Sequence, residues 1–228
     1  MLVILKLLSR NKRLQMYSLL YKKQVLLKNK ISTTRVYLFR IRHLTPFHLK
    51  KTSFISEAVK NMKSVGALAP SSKYLVSKML KQIDFSKKIT ILELGPGTGV
   101  VTKQILSKIT LDSNLVCLEL NEQFCAKLEG FKDKNLQVIQ GSAEDVATLF
   151  KNKSFDYVVS GLPLAIFKKE CVNEILEGCV ASLKEEGKYI QFQYSLASRK
   201  TLQRYFSKVD VSLAAVNLPP AVVYNCSL

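Results

Sequence analysis

For its first 56 residues the chain contains no acidic side chain; Glu57 is the first. Those residues hold 13 of the 35 Lys and Arg, so most of the net charge of +18 lies in the first quarter of a 228-residue chain. The other 22 basic residues nearly balance 17 acidic ones. A cationic arm of this kind is matched to a polyanion: an anionic membrane, RNA or DNA. A targeting peptide is also basic and acid-poor, and a solvated tail has the same composition. Composition leaves these three readings open.

Other absences narrow the class. No apolar run approaches the ~20 residues of a spanning helix, and the apolar opening Met1–Leu5 is cut by Lys6. There are only two histidines, His43 and His48, and no CxxC pair, so a zinc site is not expected. Cys117, Cys125, Cys171, Cys179 and Cys226 suit buried thiols in a reducing compartment. Nine Gly and six Pro exclude a collagen-like or linker-dominated chain. Hydrophobic residues at 47% and charged residues at 23% fit one globular domain with a substantial core.

The arm divides in two. Residues 2–28 have helical potential, with Leu14, Tyr17, Leu20 and Tyr21 among basic neighbours, and residues 35–51 are aromatic and basic, broken by Pro46. A short helix is expected over Ser53–Lys63. The loop VGALAPSS follows, and Ser71 or Ser72 is placed to cap a helix through Leu80. From Lys88 apolar strand-like runs alternate with helical patterns. Strands are expected at 89–94, 114–120, 135–141, 154–161, 187–195, 207–216 and 220–226. Helices are expected over 100–109, after Asn121, over 142–150 and over 168–184. Such alternation predicts an α/β fold, a doubly wound, mostly parallel seven-stranded sheet covered on both faces. The last two strands lack a helix-length spacer, so the final strand is expected to be antiparallel.

Glu93-Leu94-Gly95-Pro96-Gly97-Thr98-Gly99 follows the first buried strand and opens a helix. That context turns a bare glycine pattern into a ligand-binding one: glycines permit a sharp turn and close approach to the backbone, and a helix start attracts a carboxylate or phosphate. Glu119 ends the second strand, where a carboxylate can accept from both hydroxyls of a ribose. The E-x-G-x-G-x-G pattern with this acid resembles the class I S-adenosylmethionine methyltransferases. By that resemblance the cofactor is S-adenosylmethionine and the fold is the Rossmann-like one of that class. Glu93 then approaches the cofactor's ammonium group, Gly95, Gly97 and Gly99 line it together with Thr98, and Glu119 holds its ribose. Ser142-Ala143 stands where many relatives have Asp-Ala, so the adenine contact is weaker here or comes from elsewhere.

Three stretches, FISEAVKNMKSVGALAPSS (54–72), VVSGLPLAIF (158–167) and NLPPAVVY (217–224), together with GKYIQFQYS, resemble the phospholipid N-methyltransferases that convert phosphatidylethanolamine to phosphatidylcholine. These are distant cousins of the rRNA adenine dimethyltransferases. The cousins carry Asn/Asp-x-Pro-aromatic after strand four, whose amide and carbonyl grip a base amine while the aromatic stacks on it. Ser160-Gly161-Leu162-Pro163-Leu164 lacks both the amide and the aromatic. The resemblance implies methyl transfer to a phospholipid amine, with RNA adenine or another aminolipid, such as an ornithine lipid, as alternatives. Tyr194, Ser160 and Leu162 are the expected catalytic-site residues, and Ser71, Ser72 and Asn217 the expected substrate contacts. Residues 1–53 are expected to form the docking or targeting arm and 54–228 the catalytic domain. The expected setting is cytoplasmic, peripheral on an anionic membrane, or an organelle reached through the basic segment. Nucleic acid is a lesser partner and no metal is expected.

Overall fold

The computed structural model describes residues 72–150, 154–217 and 219–228. The basic arm, the helix expected over 53–63 and Ser71 lie outside the described residues. The elements in chain order are α1 (Lys73–Leu80), β1 (Thr90–Leu94), α2 (Val100–Leu106), β2 (Asn114–Glu119), α3 (Glu122–Glu129), β3 (Leu136–Gln140), a 3-10 turn (Ala143–Asp145), α4 (Val146–Leu149), β4 (Phe155–Ser160), a second 3-10 turn (Leu164–Ile166), α5 (Lys169–Ser182), β5 (Leu183–Gln193), α6 (Arg199–Leu202), β6 (Lys208–Ala214) and β7 (Ala221–Ser227).

The strands form one seven-stranded sheet in the order β3-β2-β1-β4-β5-β7-β6. Pairs β1–β2, β2–β3, β1–β4 and β4–β5 are parallel, and β7 runs antiparallel between β5 and β6. The central strands are apolar at nearly every position because both faces are covered. Ile91, Leu115, Val159 and Ile190 join one core with Leu75 and Met79 of α1, Ile105 of α2 and Leu128 of α3. Leu92, Val116, Val158 and Tyr189 face the opposite core, with Val146 of α4, Ile175 and Leu176 of α5 and Leu202 of α6. At ~2 kcal/mol for each fully buried large aliphatic side chain, these two layers are the main driving force for the fold.

Strand order reverses between β1 and β4: the chain steps outward through β2 and β3, then returns to β4 and β5. Such a switch point opens a crevice beyond the carboxyl ends of the strands. The short β6–β7 connection brings residues 215–217 and 219–220 to this same edge, because the start of β7 pairs with the end of β5, Val222 opposite Gln193.

Two details depart from the pattern read in the sequence. β5 begins at Leu183, directly after α5, not at Gly187, because the partner register jumps from Phe155–Leu183 to Tyr157–Lys188 and the intervening Lys184–Glu186 bulges out to solvent. The four-residue α6 is too short to announce itself by periodicity.

Candidate active site

The β1–α2 turn is the centre of the crevice. Gly95, Gly97 and Gly99 have φ of 64°, 56° and 80°, in the left-handed region that side-chain-bearing residues avoid. Each glycine meets a different neighbourhood. A Cβ on Gly99 would lie 2.6 Å from Phe131 Cζ, so this glycine lets α2 start tightly against the end of α3. A Cβ on Gly95 would lie 2.7 Å from Leu162 Cδ2. A Cβ on Gly97 would meet nothing within 4 Å. The backbone at Gly97 therefore faces open space, where a ligand can lie against it. Thr98, beside it, is exposed.

Two carboxylates border this turn from the α1–α2 face. Glu119 is buried; one oxygen accepts from Gly97 N at 3.0 Å and the other from Asn121 N at 2.8 Å. The end of β2 is thereby tied to the glycine turn, and its acid sits at the mouth of the open space. Glu93 is only 2% exposed. Burial pushes its pKa up to about 7; hydrogen bonds from Thr102 and the Cys117 thiol oppose the rise, and the Glu119 charge adds to it. Cys117 Sγ donates to Glu93 at 3.4 Å. The groups acting on Glu93 include no cation, so it is a buried carboxyl group suited to a cationic ligand group.

Ser142 caps the turn after β3, accepting from Glu144 N at 3.3 Å, and its hydroxyl donates to the Glu144 carboxylate at 3.2 Å. Ser142 and Ala143 are buried. The Ser142 hydroxyl is thus taken up by Glu144, two residues on.

Beyond β5, Ser72, Asn217 and Tyr194 come together from three elements. Ser72 is the N-cap of α1: its oxygen accepts from Leu75 N at 3.2 Å and its hydroxyl donates to Asn217 Oδ1 at 2.6 Å. Asn217 Nδ2 donates to Pro219 O at 2.7 Å, holding the β6–β7 turn. Asn217 also hydrogen-bonds the Tyr194 side chain, which pulls the phenol's pKa down while burial pushes it up more strongly. Tyr194 remains 36% exposed at the rim.

Ser160 and Leu162 lie on the other face. Ser160 is fully buried; its hydroxyl oxygen accepts from Leu162 N at 3.3 Å, and its side chain hydrogen-bonds that of Tyr189. Leu162 is 8% exposed, with its side chain over Gly95. Sequence reading passed over Gln191 and Gln193, which are buried and both donate to Leu162 O. Their alternation in IQFQY resembles a half-solvated strand, whereas α5 and the segment around Phe206 cover that face.

Residues 91–187 match the family described as a methyltransferase domain. Over 179 residues the chain is 29% identical to the ornithine lipid N-methyltransferase of Singulisphaera acidiphila, covering 76% of this chain and 93% of that protein. It is 25% identical over 122 residues to ribosomal RNA small subunit methyltransferase A of Mycoplasma capricolum, covering 49% of this chain and 45% of that one. Among solved structures, the Burkholderia thailandensis 1,6-didemethyltoxoflavin-N1-methyltransferase, with bound 1,6-didemethyltoxoflavin and S-adenosylhomocysteine, superposes with a TM-score of 0.60 at 12% identity. That match covers 86% of this chain and all of that one.

Proposed function

Starting from a chain that carries an S-adenosylmethionine-dependent methyltransferase domain, we propose that it methylates the amine of a lipid headgroup at a membrane surface. The observation that carries this reading is the loop after β4. It has Gly161 where an amide would grip a base and a buried Leu164, 3% exposed, where an aromatic would stack on one. The ornithine lipid relative, similar along most of both chains, supports it. Phosphatidylethanolamine and ornithine lipids share the chemistry required, a primary amine on a short flexible stem. Phosphatidylethanolamine is the substrate proposed first, and ornithine lipid the alternative.

The crevice fits the cofactor: the open face at Gly97 accepts a flat ligand against backbone, Glu93 matches an ammonium, and Glu119 matches ribose hydroxyls. Bound there, S-adenosylmethionine supplies an electrophilic methyl carbon. The chain's own task is chiefly to align donor and acceptor. The acceptor must be neutral, because an ammonium with a reference pKa of ~10.4 has no free lone pair. Apolar Leu162, whose side chain lies over Gly95, desolvates the incoming amine and lowers that pKa. Tyr194 holds its proton to high pH; its hydroxyl can accept an N–H of the amine while Asn217 fixes its orientation. Ser72 and Asn217 together form the wall that a headgroup phosphate would meet.

No helix among the described residues is long and apolar enough to cross a membrane. Access to lipid is assigned to the basic segment 1–53. Each basic residue near anionic lipid contributes ~1 kcal/mol, so four engaged charges contribute about 4 kcal/mol before screening. The test is expression in a host that makes phosphatidylethanolamine but no methylated aminolipid, with lipids read by mass spectrometry. Species heavier by one to three methyl groups are expected. An unchanged lipid profile despite folded protein, with methylated adenine in the host's RNA, would replace this reading with RNA adenine methylation, to which the similarity to the ribosomal RNA enzyme points.

A further inference from the structure

Three N–H groups converge on one carbonyl at the heart of the crevice. Leu162 O accepts from Gln191 Nε2 at 2.8 Å, from Gln193 Nε2 at 2.9 Å and from Leu164 N at 3.0 Å. A carbonyl oxygen has two lone pairs, so this one has no capacity left for a substrate. The donors are themselves fixed. Tyr189, Gln191 and Gln193 alternate along one face of β5, and Tyr189 O–H donates to Gln191 Oε1 at 2.9 Å. All three are buried, with Gln191 and Tyr189 wholly inaccessible. The Leu162 N–H is held as well, by Ser160 Oγ.

Burying two primary amides in this layer is unfavourable unless their hydrogen bonds are met. Apolar residues would pack there at lower cost, as Val158 and Leu92 do beside them. What the glutamines secure is the position of one peptide, whose side chain would lie 2.7 Å from a Cβ on Gly95. That peptide forms the wall of the glycine turn on this face of the sheet.

We propose that Gln191 and Gln193 are positioning residues that lock the Leu162 peptide against the glycine turn, and that by filling its carbonyl they leave acceptor recognition to Tyr194 and Asn217 across the rim. The second half rests on the aminolipid reading; the first does not. In a mobile headgroup, an amine held by the Tyr194 hydroxyl, which Asn217 orients, needs no second acceptor from the β4 loop.

The decisive substitutions are at Gln193. Gln193→Met keeps the length and removes the donor. Gln193→Glu keeps the shape and makes donation conditional on a proton: the acid form donates to Leu162 O, and the carboxylate repels it. Binding of S-adenosylhomocysteine to the full-length chain is read by calorimetry between pH 6 and pH 9. Because Glu93 gives the wild type its own pH dependence, the quantity read is the ratio of variant to wild-type affinity at each pH. For Gln193→Glu the ratio is expected to fall about fivefold or more as pH rises, equivalent to loss of one ordinary hydrogen bond. For Gln193→Met it is expected to be low at every pH. A Gln193→Glu ratio that is flat across the range overturns the proposal. If the buried carboxylate unfolds that variant, a folded Gln193→Met with wild-type affinity overturns it instead. Tyr194→Phe completes the set: it should leave S-adenosylhomocysteine affinity unchanged and alter turnover of phosphatidylethanolamine vesicles, and loss of cofactor affinity would contradict the division of labour. No acceptor enters the Gln193 measurement, so its failure leaves the lipid reading standing. A wild-type enzyme that labels no lipid removes that reading alone.

Discussion

Glu93 shows how one buried residue ties sequence to pH behaviour. Its carboxyl sits among Thr102, Cys117 and Glu119 with a pKa raised to about 7. In the unfolded chain the same group titrates near 4.5. Between those values the folded chain binds more protons than the unfolded one, so this group's contribution to stability falls as pH rises from 4.5 to 7. With the cofactor's ammonium placed at Glu93 as proposed, cofactor binding has the opposite sign, because an ammonium needs the ionised form. The affinity for S-adenosylhomocysteine is therefore expected to rise about tenfold between pH 6 and pH 8, from the change in ionised fraction around that pKa. In Glu93→Gln the rise should vanish, and affinity at pH 8 should drop by about 10- to 100-fold, the range for a hydrogen bond to a charged group. Calorimetry at the two pH values checks both. Gly97 gives a second residue-scale expectation. With open space over it, Gly97→Ala should cost only about 1–2 kcal/mol of stability, from its positive φ, read as a shift in urea midpoint, while the methyl group intrudes on the ligand and cofactor binding suffers more.

At the scale of elements, all seven strands were legible, most plainly those whose apolar runs fill both faces of the sheet, ILEL in β1 and VCLE in β2. The glycine turn and both carboxylates were legible because covalent order alone places them at strand ends. The Ser72–Asn217–Tyr194 assembly was legible only as separate residues, since its contacts span 145 positions and depend on the β6–β7 turn returning to the end of β5. The role of the β5 glutamines was not legible for a physical reason: alternation reports which residues share a face, not what covers that face. Ser72→Ala is expected to cost about 1 kcal/mol through loss of the cap on α1 and also to release Asn217. Urea denaturation measures the first effect. The second should appear as a higher KM for the lipid acceptor with unchanged affinity for S-adenosylhomocysteine.

For the whole molecule, charge distribution and catalytic edge belong to one account. On the reading proposed above, the basic first 53 residues would bring the chain to an anionic surface, where the rim of Tyr194, Ser72 and Asn217 would receive a headgroup. Flotation with vesicles containing anionic lipid should show binding by the full chain that weakens as salt rises, and a large loss on deletion of residues 1–53. Equal flotation by the two forms would remove the segment's assigned role while leaving the chemistry untouched. The chemistry itself is tested most directly by supplying methyl-labelled S-adenosylmethionine to the purified full-length chain with phosphatidylethanolamine vesicles, ornithine lipid vesicles and ribosomal RNA in separate reactions. Label is expected in the organic extract of the vesicle reactions and at background in RNA; label in RNA with none in either lipid would contradict the account.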